Sequence, residues 1–333
     1  MEDILSFDVV LKNLKEKGVC FGKVKPTEYH AMKPMLEQAL GVPVVSKSSL
    51  CDFMANPYKY KWALDNGVRK TSEAMSMGSL VDCLVLTPED FEELYLCEEK
   101  KVAVKKDGTP YSNGMQDPEQ KARWQAAAES GVTVVSVEQL AKGNAIAEQA
   151  TAHLSKCGLK LGVTFESQCA MWVYLTELEG IELVCPVVVS GMIDILPTGE
   201  LASEIWDLKT TSEDVSKTHR LEYTTEDFHY GIQAAMYLDM YNLATGEARE
   251  AFTFLFAGTA EPYMSRCLHM TAEVVELYRA EYRNALRAYC IAWKMDDWGT
   301  PELETHIFMP SRREWARLLN GDATWSVMKG DAR

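Results

Sequence analysis

The residues best placed to do chemistry lie between 166 and 237. Asp207-Leu208-Lys209 closes an apolar run, "EIWDLKTT", that reads as a strand. Alternate side chains of a strand share a face, so Asp207 and Lys209 project together while Leu208 points the other way. Asp194 ends the preceding apolar run, and a "PTGE" turn brings it back toward Asp207. Glu166 stands on the strand before that. Three carboxylates on one face repel each other unless a cation joins them. An oxygen-only set suits a hard divalent ion, Mg²⁺ or Mn²⁺, in one or two copies. The backbone carbonyl of Leu208 offers a further oxygen. A lysine beside such a cluster positions an attacking water or neutralises charge developing on a phosphoryl group. Taken alone, Asp207 and Lys209 also fit a solvated pair on a sheet edge, worth under about 1 kcal/mol. Asp82 is harder to dismiss, because an aspartate amid the aliphatics of "SLVDCLVL" needs a partner.

The elements that must hold these residues follow from periodicity. From 163 the apolar period is two, and "VTFESQCAMWVYL", "IELVCPVVVSGMIDILP" and "LASEIWDLKTT" read as three strands joined at "ELEG" and "PTGE". A helix is expected over 224–245, capped by Thr224 or Thr225. It places Gln233 and Tyr237 four residues apart on one face, where ordinary helix–sheet packing is the competing reading. Strands at 250–258 and "YMSRCLHM" and a helix over 271–295 follow. Upstream, Ser46 or Ser48 caps a helix within 44–64 whose stripe is Leu50, Phe53 and Met54. Residues 71–95 read as a second helix stopped near Pro88 and a short third, and "GVTVV" as a strand before a helix to about 154. Residues 1–45 form an N-terminal extension in which Pro26, Pro34 and Pro43 break up regular structure. The charged, turn-rich stretch 98–125 reads as a mobile loop, and "SRREWARLL" in the tail as a short helix. The order predicts an α/β (α+β) fold, a mixed central sheet flanked by helices, within a single domain over 1–333.

Glu166, Asp194, Asp207-Leu208-Lys209 and "GIQAAMY", in that order on strand, strand, strand and helix, resemble the core of PD-(D/E)XK nucleases. Ile193 stands where the family has proline. The Gln233-x-x-x-Tyr237 element resembles the RecB-type branch. "YHAM", "SKSSLCDFMANPYKYKW" and "AMSMGSLVDCLVLTPEDFEELY" are similar to the N-terminal part of RecE-like phage exonucleases, so the resemblance spans about 28 to 290. It implies a restriction-endonuclease-like core in which Asp194, Asp207 and Glu166 hold the metal. Lys209 would orient the nucleophile, and Gln233 and Tyr237 would support the site. It also implies hydrolysis of linear double-stranded DNA from 5′ to 3′, a ring-like homo-oligomer such as a tetramer, and a single-strand annealing protein as partner. The chain departs from the pattern at Asp82, where the resembling enzymes carry a histidine ligand. An aspartate is a harder ligand, which favours Mg²⁺ and lessens any bias toward Mn²⁺. The same core would serve an endonuclease, or a non-catalytic DNA-binding scaffold with a decayed site.

Composition bounds the remainder. The chain of 333 residues is 47% hydrophobic and 25% charged, an ordinary globular balance. A net charge of −15 confines any phosphate contact to a local basic groove. Lys209 with Lys217 and Arg220 of "KTHR" is the best candidate groove, with "KKVAVKKDG" second and His30 a further possible DNA contact. The nine cysteines form no CxxC pair and mostly have apolar neighbours, which reads as reduced core thiols of a cytoplasmic protein. Neither His219 nor His229 belongs to a Cys/His ligand pattern, so zinc is not expected, and too few closely spaced C-terminal cysteines argue against an iron–sulfur nuclease. The acidic, amphipathic start "MEDILSFDVVLKNLKEKG" does not read as a signal peptide, and no apolar run approaches the roughly 20 residues that span a membrane. GxSxG, GxxxxGK[ST] and GxGxxG are all absent, which removes serine-hydrolase, P-loop and dinucleotide readings.

Overall fold

The longest extended stretches occur where β-branched and aromatic residues are densest. The computed structural model describes residues 4–68, 73–105, 109 and 116–301. Strand β5 (Phe165–Leu178) and strand β6 (Ile181–Pro197) form a long antiparallel hairpin. Its tip, Glu179-Gly180, turns with both residues at positive φ. Strand β1 (Val19–Lys23) pairs with the outer edge of β5. Beyond β6 the sheet continues through β7 (Glu204–Thr211), β8 (Ala251–Gly258) and β9 (Ser265–Met270), with β7 parallel to β8. A short strand, β2 (Val44–Ser46), runs parallel to β6 at Val188–Ser190. The result is a mixed seven-stranded sheet with helices on both faces. Strands β3 (Tyr95–Cys97) and β4 (Thr133–Val135) form a separate parallel pair.

One face is covered by helices α3 (Lys47–Ala55), α10 (Tyr230–Thr245) and α11 (Ala272–Met295). Phe252, Phe254 and Phe256 project from β8 into this layer, each fully buried and worth roughly 1.5–3 kcal/mol. The other face carries α1 (Phe7–Lys17) and α2 (Pro26–Leu40) over β1 and β5. Helices α5 (Glu73–Leu86) and α8 (Val137–Lys156) cover β7 and β8 on the same side. The remaining helices are α4 (Pro57–Asp65), α6 (Phe91–Leu94), α7 (Pro118–Glu129) and α9 (Thr218–Asp227). Contacts group Met1–Trp298 into one compact unit and Gly299–Arg333 into another.

Several local expectations change. The prolines do not break up residues 1–45: Pro26 sits at the first turn of α2, where a missing N–H costs nothing, and Pro34 is carried inside that helix. β1 and β2 join the main sheet, so this segment is built into the fold. Ser46 caps α3 by accepting from Ser49 N, α3 ends before Pro57 as its apolar stripe does, and Asn56 caps a further helix, α4, through Lys59 N at 2.7 Å. The helix expected over 224–245 is two. Thr224 and Thr225 lie inside α9, donating to the carbonyls of Arg220 and Leu221, and the chain reverses at His229, whose φ is 51°. Of the stretch 98–125, residues 106–108 and 110–115 lie outside the described residues; Val102 and Gln116 bridge across it, and α7 takes up its end. The tail "SRREWARLL" also lies outside them. Among the described residues no helix is long and apolar enough to cross a membrane.

Candidate active site

The site forms where two strands part. The ladder between β6 and β7 contains the pair Ile195 and Trp206. One step further, where Asp194 and Asp207 would pair, the strands diverge. The Asp194 side chain fills the gap, accepting from Leu208 N through Oδ2 at 3.1 Å. Gln168 Nε2 lies 3.4 Å from its other oxygen. Because β2 joins β6 further back, residues 191–194 border an open notch between β2 and β7. This notch is the floor of a cleft of about 910 Å³, walled by α2, the start of α3, α5 and the start of α10.

One helix braces both sides of the notch. Gln233, on the first turns of α10, donates to Asp207 Oδ1. Tyr237, one turn further along, lies beneath β6, where a Cβ at Gly191 would meet its ring at 2.8 Å. The absent side chain at Gly191 is therefore what lets the tyrosine reach the strand carrying Asp194. On the opposite face, a Cβ at Gly78 would come within 3.2 Å of Thr210 Oγ1. That close approach of α5 to β7 presents Asp82, one turn beyond Gly78, to the cleft.

The electrostatics are those of crowded carboxylates. Asp207 is 2% exposed, with Lys209 ion-paired to Oδ2. Oδ2 is fully buried and faces the Lys209 ammonium. Burial, then the Asp207 and Asp82 charges, push the Asp194 carboxyl well above its usual range. Burial raises Asp82 to about 7, with Lys209 pulling down and Asp207 adding to the rise. Burial works against the Lys209 ammonium, yet Asp207 and Asp194 outweigh it and hold its pKa above the ordinary lysine value. Lys209 remains a cation at neutral pH and is not free to take a proton. It stands 5.0 Å over the Tyr230 ring, and Lys47 stands 5.1 Å over the same ring.

The structure brings together Asp82, Asp194, Asp207, Lys209, Gln233 and Tyr237, and His30 also lines the cleft. Glu166 does not join them. Gln168 adopts φ 52°, which inverts the strand alternation. Phe165 and Ser167 then face α5, with Ser167 Oγ donating to Leu86 O, whereas Cys169 and Met171 face α10. Glu166 is left on the Cys169 side, where the thiol lies 3.8 Å from Oε2, and Gln168 takes the place beside Asp194. Lys217 and Arg220 are outside the cleft lining, paired with Asp214 at 3.3 Å and Glu213 at 3.9 Å. Sequence reasoning missed Lys33 and Lys47, which line the cleft, Lys47 donating to Phe228 O at 2.6 Å. Burial lowers the pKa of both, so a phosphate would find amines short of solvent.

Five carboxylates and three lysines line the cleft among the described residues, an excess of negative charge that cannot accept a phosphodiester unaided. The buried Asp207 carboxylate and the all-carboxylate set fit a hard divalent cation. Asp82, Asp194 and Asp207 with the Leu208 carbonyl would hold it.

A mixed sheet flanked by helices is also the fold to which this chain is similar. Residues 175–302 match the family described as a PDDEXK-like domain of unknown function, DUF3799. A "Putative exonuclease" from Eubacterium rectale, known from its crystal structure, superposes with a TM-score of 0.51 at 14% identity, over 88% of this chain and 98% of its own. Rai1 of Scheffersomyces stipitis aligns with a TM-score of 0.30 at 11% identity, over 89% of this chain and 66% of its own, and supports no argument. No curated protein matches the sequence.

Proposed function

We propose that the cleft hydrolyses phosphodiesters, as a divalent-metal-dependent exonuclease acting on linear double-stranded DNA. The carrying observation is the buried Asp194–Asp207–Lys209 cluster at the strand fork, with Gln233 fixing Asp207. When bound, Mg²⁺ supplies Lewis-acid activation of water and charge neutralisation at the leaving oxygen, a role Mn²⁺ can also fill. Lys209, permanently charged, orients the attacking water and stabilises negative charge on the phosphoryl oxygens. Gln233 and Tyr237 hold the two strands, and so the two aspartates, at a set spacing. Lys33, Lys47 and His30 would receive the flanking backbone phosphates. Degradation from 5′ to 3′, assembly as a ring, and delivery of the exposed strand to an annealing protein complete the reading, resting on the resemblance of the motifs to RecE-like exonucleases. A ring suits the composition, since only its channel lining need be basic.

The test is an end-labelled linear duplex incubated with Mg²⁺, Mn²⁺ or EDTA. Wild type is expected to digest it with either ion and not in EDTA, and Lys209→Ala to lose on the order of 10²-fold or more in rate with an unchanged circular dichroism spectrum. The reading fails if wild type leaves the duplex intact with both ions, or if Lys209→Ala digests it equally well.

A further inference from the structure

Outside the cleft lining, three side chains converge at the edge of the sheet. His153 and Cys157 stand one turn apart at the end of α8, and Cys267 projects from β9 beneath them. Their ligand atoms all lie within 4.8 Å of one another, and they are the one such trio of histidine, cysteine, aspartate or glutamate among the described residues. His153 Nε2 is 3.6 Å from Cys267 Sγ. In a tetrahedral site with metal–sulfur bonds of ~2.3 Å and metal–nitrogen bonds of ~2.1 Å, those atoms stand about 3.6 Å apart. The other imidazole nitrogen, Nδ1, is held by Ser265 Oγ at 2.8 Å. That contact orients the ring and leaves Nε2 turned toward the sulfurs, as in ligating histidines whose second nitrogen is anchored.

We infer that His153, Cys157 and Cys267 form a binding site for a thiophilic divalent metal, Zn²⁺ by ligand type, separate from the carboxylate cleft. Two thiols and an imidazole suit zinc and not Mg²⁺. The three residues are half-buried. Cys157 is the C-terminal cap of a 20-residue helix, whose last carbonyls favour a cation. Burial, then the neighbouring Cys157, push the Cys267 thiol up to about 12. Binding a metal there would release the Cys267 thiol proton to solvent. The site ties edge strand β9 to α8. A Cβ at Gly143 of α8 would meet Leu80 at 2.8 Å, so α8 in turn packs tightly on α5, which carries Asp82.

Co²⁺ titration of the full-length, reduced, metal-free protein tests this. One equivalent should give a thiolate-to-cobalt charge-transfer band with tetrahedral visible absorption, both displaced by Zn²⁺. Cys157→Ser, Cys267→Ser and His153→Ala should each lose the band, while Cys51→Ser and Asp194→Asn keep it. The Asp194→Asn arm separates this site from the proposed catalytic one. Circular dichroism of each variant distinguishes loss of a ligand from loss of fold, and the wild-type titration needs no variant. Absence of a charge-transfer band in reduced wild type, or a band that survives Cys267→Ser in a folded protein, overturns the proposal.

Discussion

At the scale of single residues, the cleft makes a pH-dependent demand. The folded-state pKa of Asp82 is raised to about 7 by burial first, and that of Asp194 is raised in the same direction. A raised carboxylate pKa means the folded chain holds protons that the unfolded chain has released. The stabilising share is complete below the ordinary aspartate value of about 3.9 and is lost as pH climbs through about 7. Metal-free protein is thus expected to melt at lower temperature near pH 8 than near pH 5, and Asp82→Asn to flatten that slope. Thermal melts in EDTA across the range check both statements; an equally steep slope in Asp82→Asn would remove Asp82 as its source. With Mg²⁺ present, occupancy should instead tighten with rising pH, because a ligand carboxyl must first lose its proton. Asp207, Lys209, Gln233 and Tyr237 were legible as neighbours because their spacings are those of one strand and one helix. Glu166 was misplaced because nothing in "FESQCA" signals that Gln168, a residue with a Cβ, turns left-handed. Lys33 and Lys47 lie on helices brought to the cleft only by tertiary packing, and His153, Cys157 and Cys267 are a cluster that no local cysteine spacing announces.

At the scale of elements, two glycines set how closely helices approach the sheet and each other. Gly78 sits where α5 meets Thr210 of β7. Gly78→Val is expected to push α5 outward and to reduce nuclease activity more than stability, since Asp82 moves with the helix. The ratio of initial rates to the change in melting temperature, against wild type, reads this directly. At Gly231 a Cβ would meet the Tyr278 ring at 2.4 Å. Gly231→Ala should therefore cost about 1–3 kcal/mol, seen as a lower urea midpoint at unchanged slope, as α10 is forced off α11. An unchanged midpoint would show that Tyr278 moves aside freely. The main strands and the long helices α8 and α11 were readable from period. The break at His229 was not, because Thr224 and Thr225 resemble caps and in fact bond back into α9. The N-terminal segment was misjudged because proline at a first helical turn costs little, so Pro26 marked a start and not an interruption.

At the scale of the whole molecule, the net charge of −15 and the acidic cleft set the terms on which the proposed DNA substrate would bind. Degradation should weaken steeply with salt, and a covalently closed circular duplex should resist while its linearised form is consumed; agarose gels of both forms decide between exonuclease and endonuclease. Native mass spectrometry is expected to give a closed homo-oligomer, and a monomer at working concentration would leave DNA retention to the cleft alone. The ladder pair Ile195 and Trp206 stands one residue from Asp194 on β6 and one from Asp207 on β7. How closely the two strands pack at this pair governs the gap between the two carboxylates, and so the ionic radius the notch would accept. A substitution at Trp206, whose indole donates to Glu204 and to no ligand oxygen, should then shift the preference among Mg²⁺, Mn²⁺ and Ca²⁺.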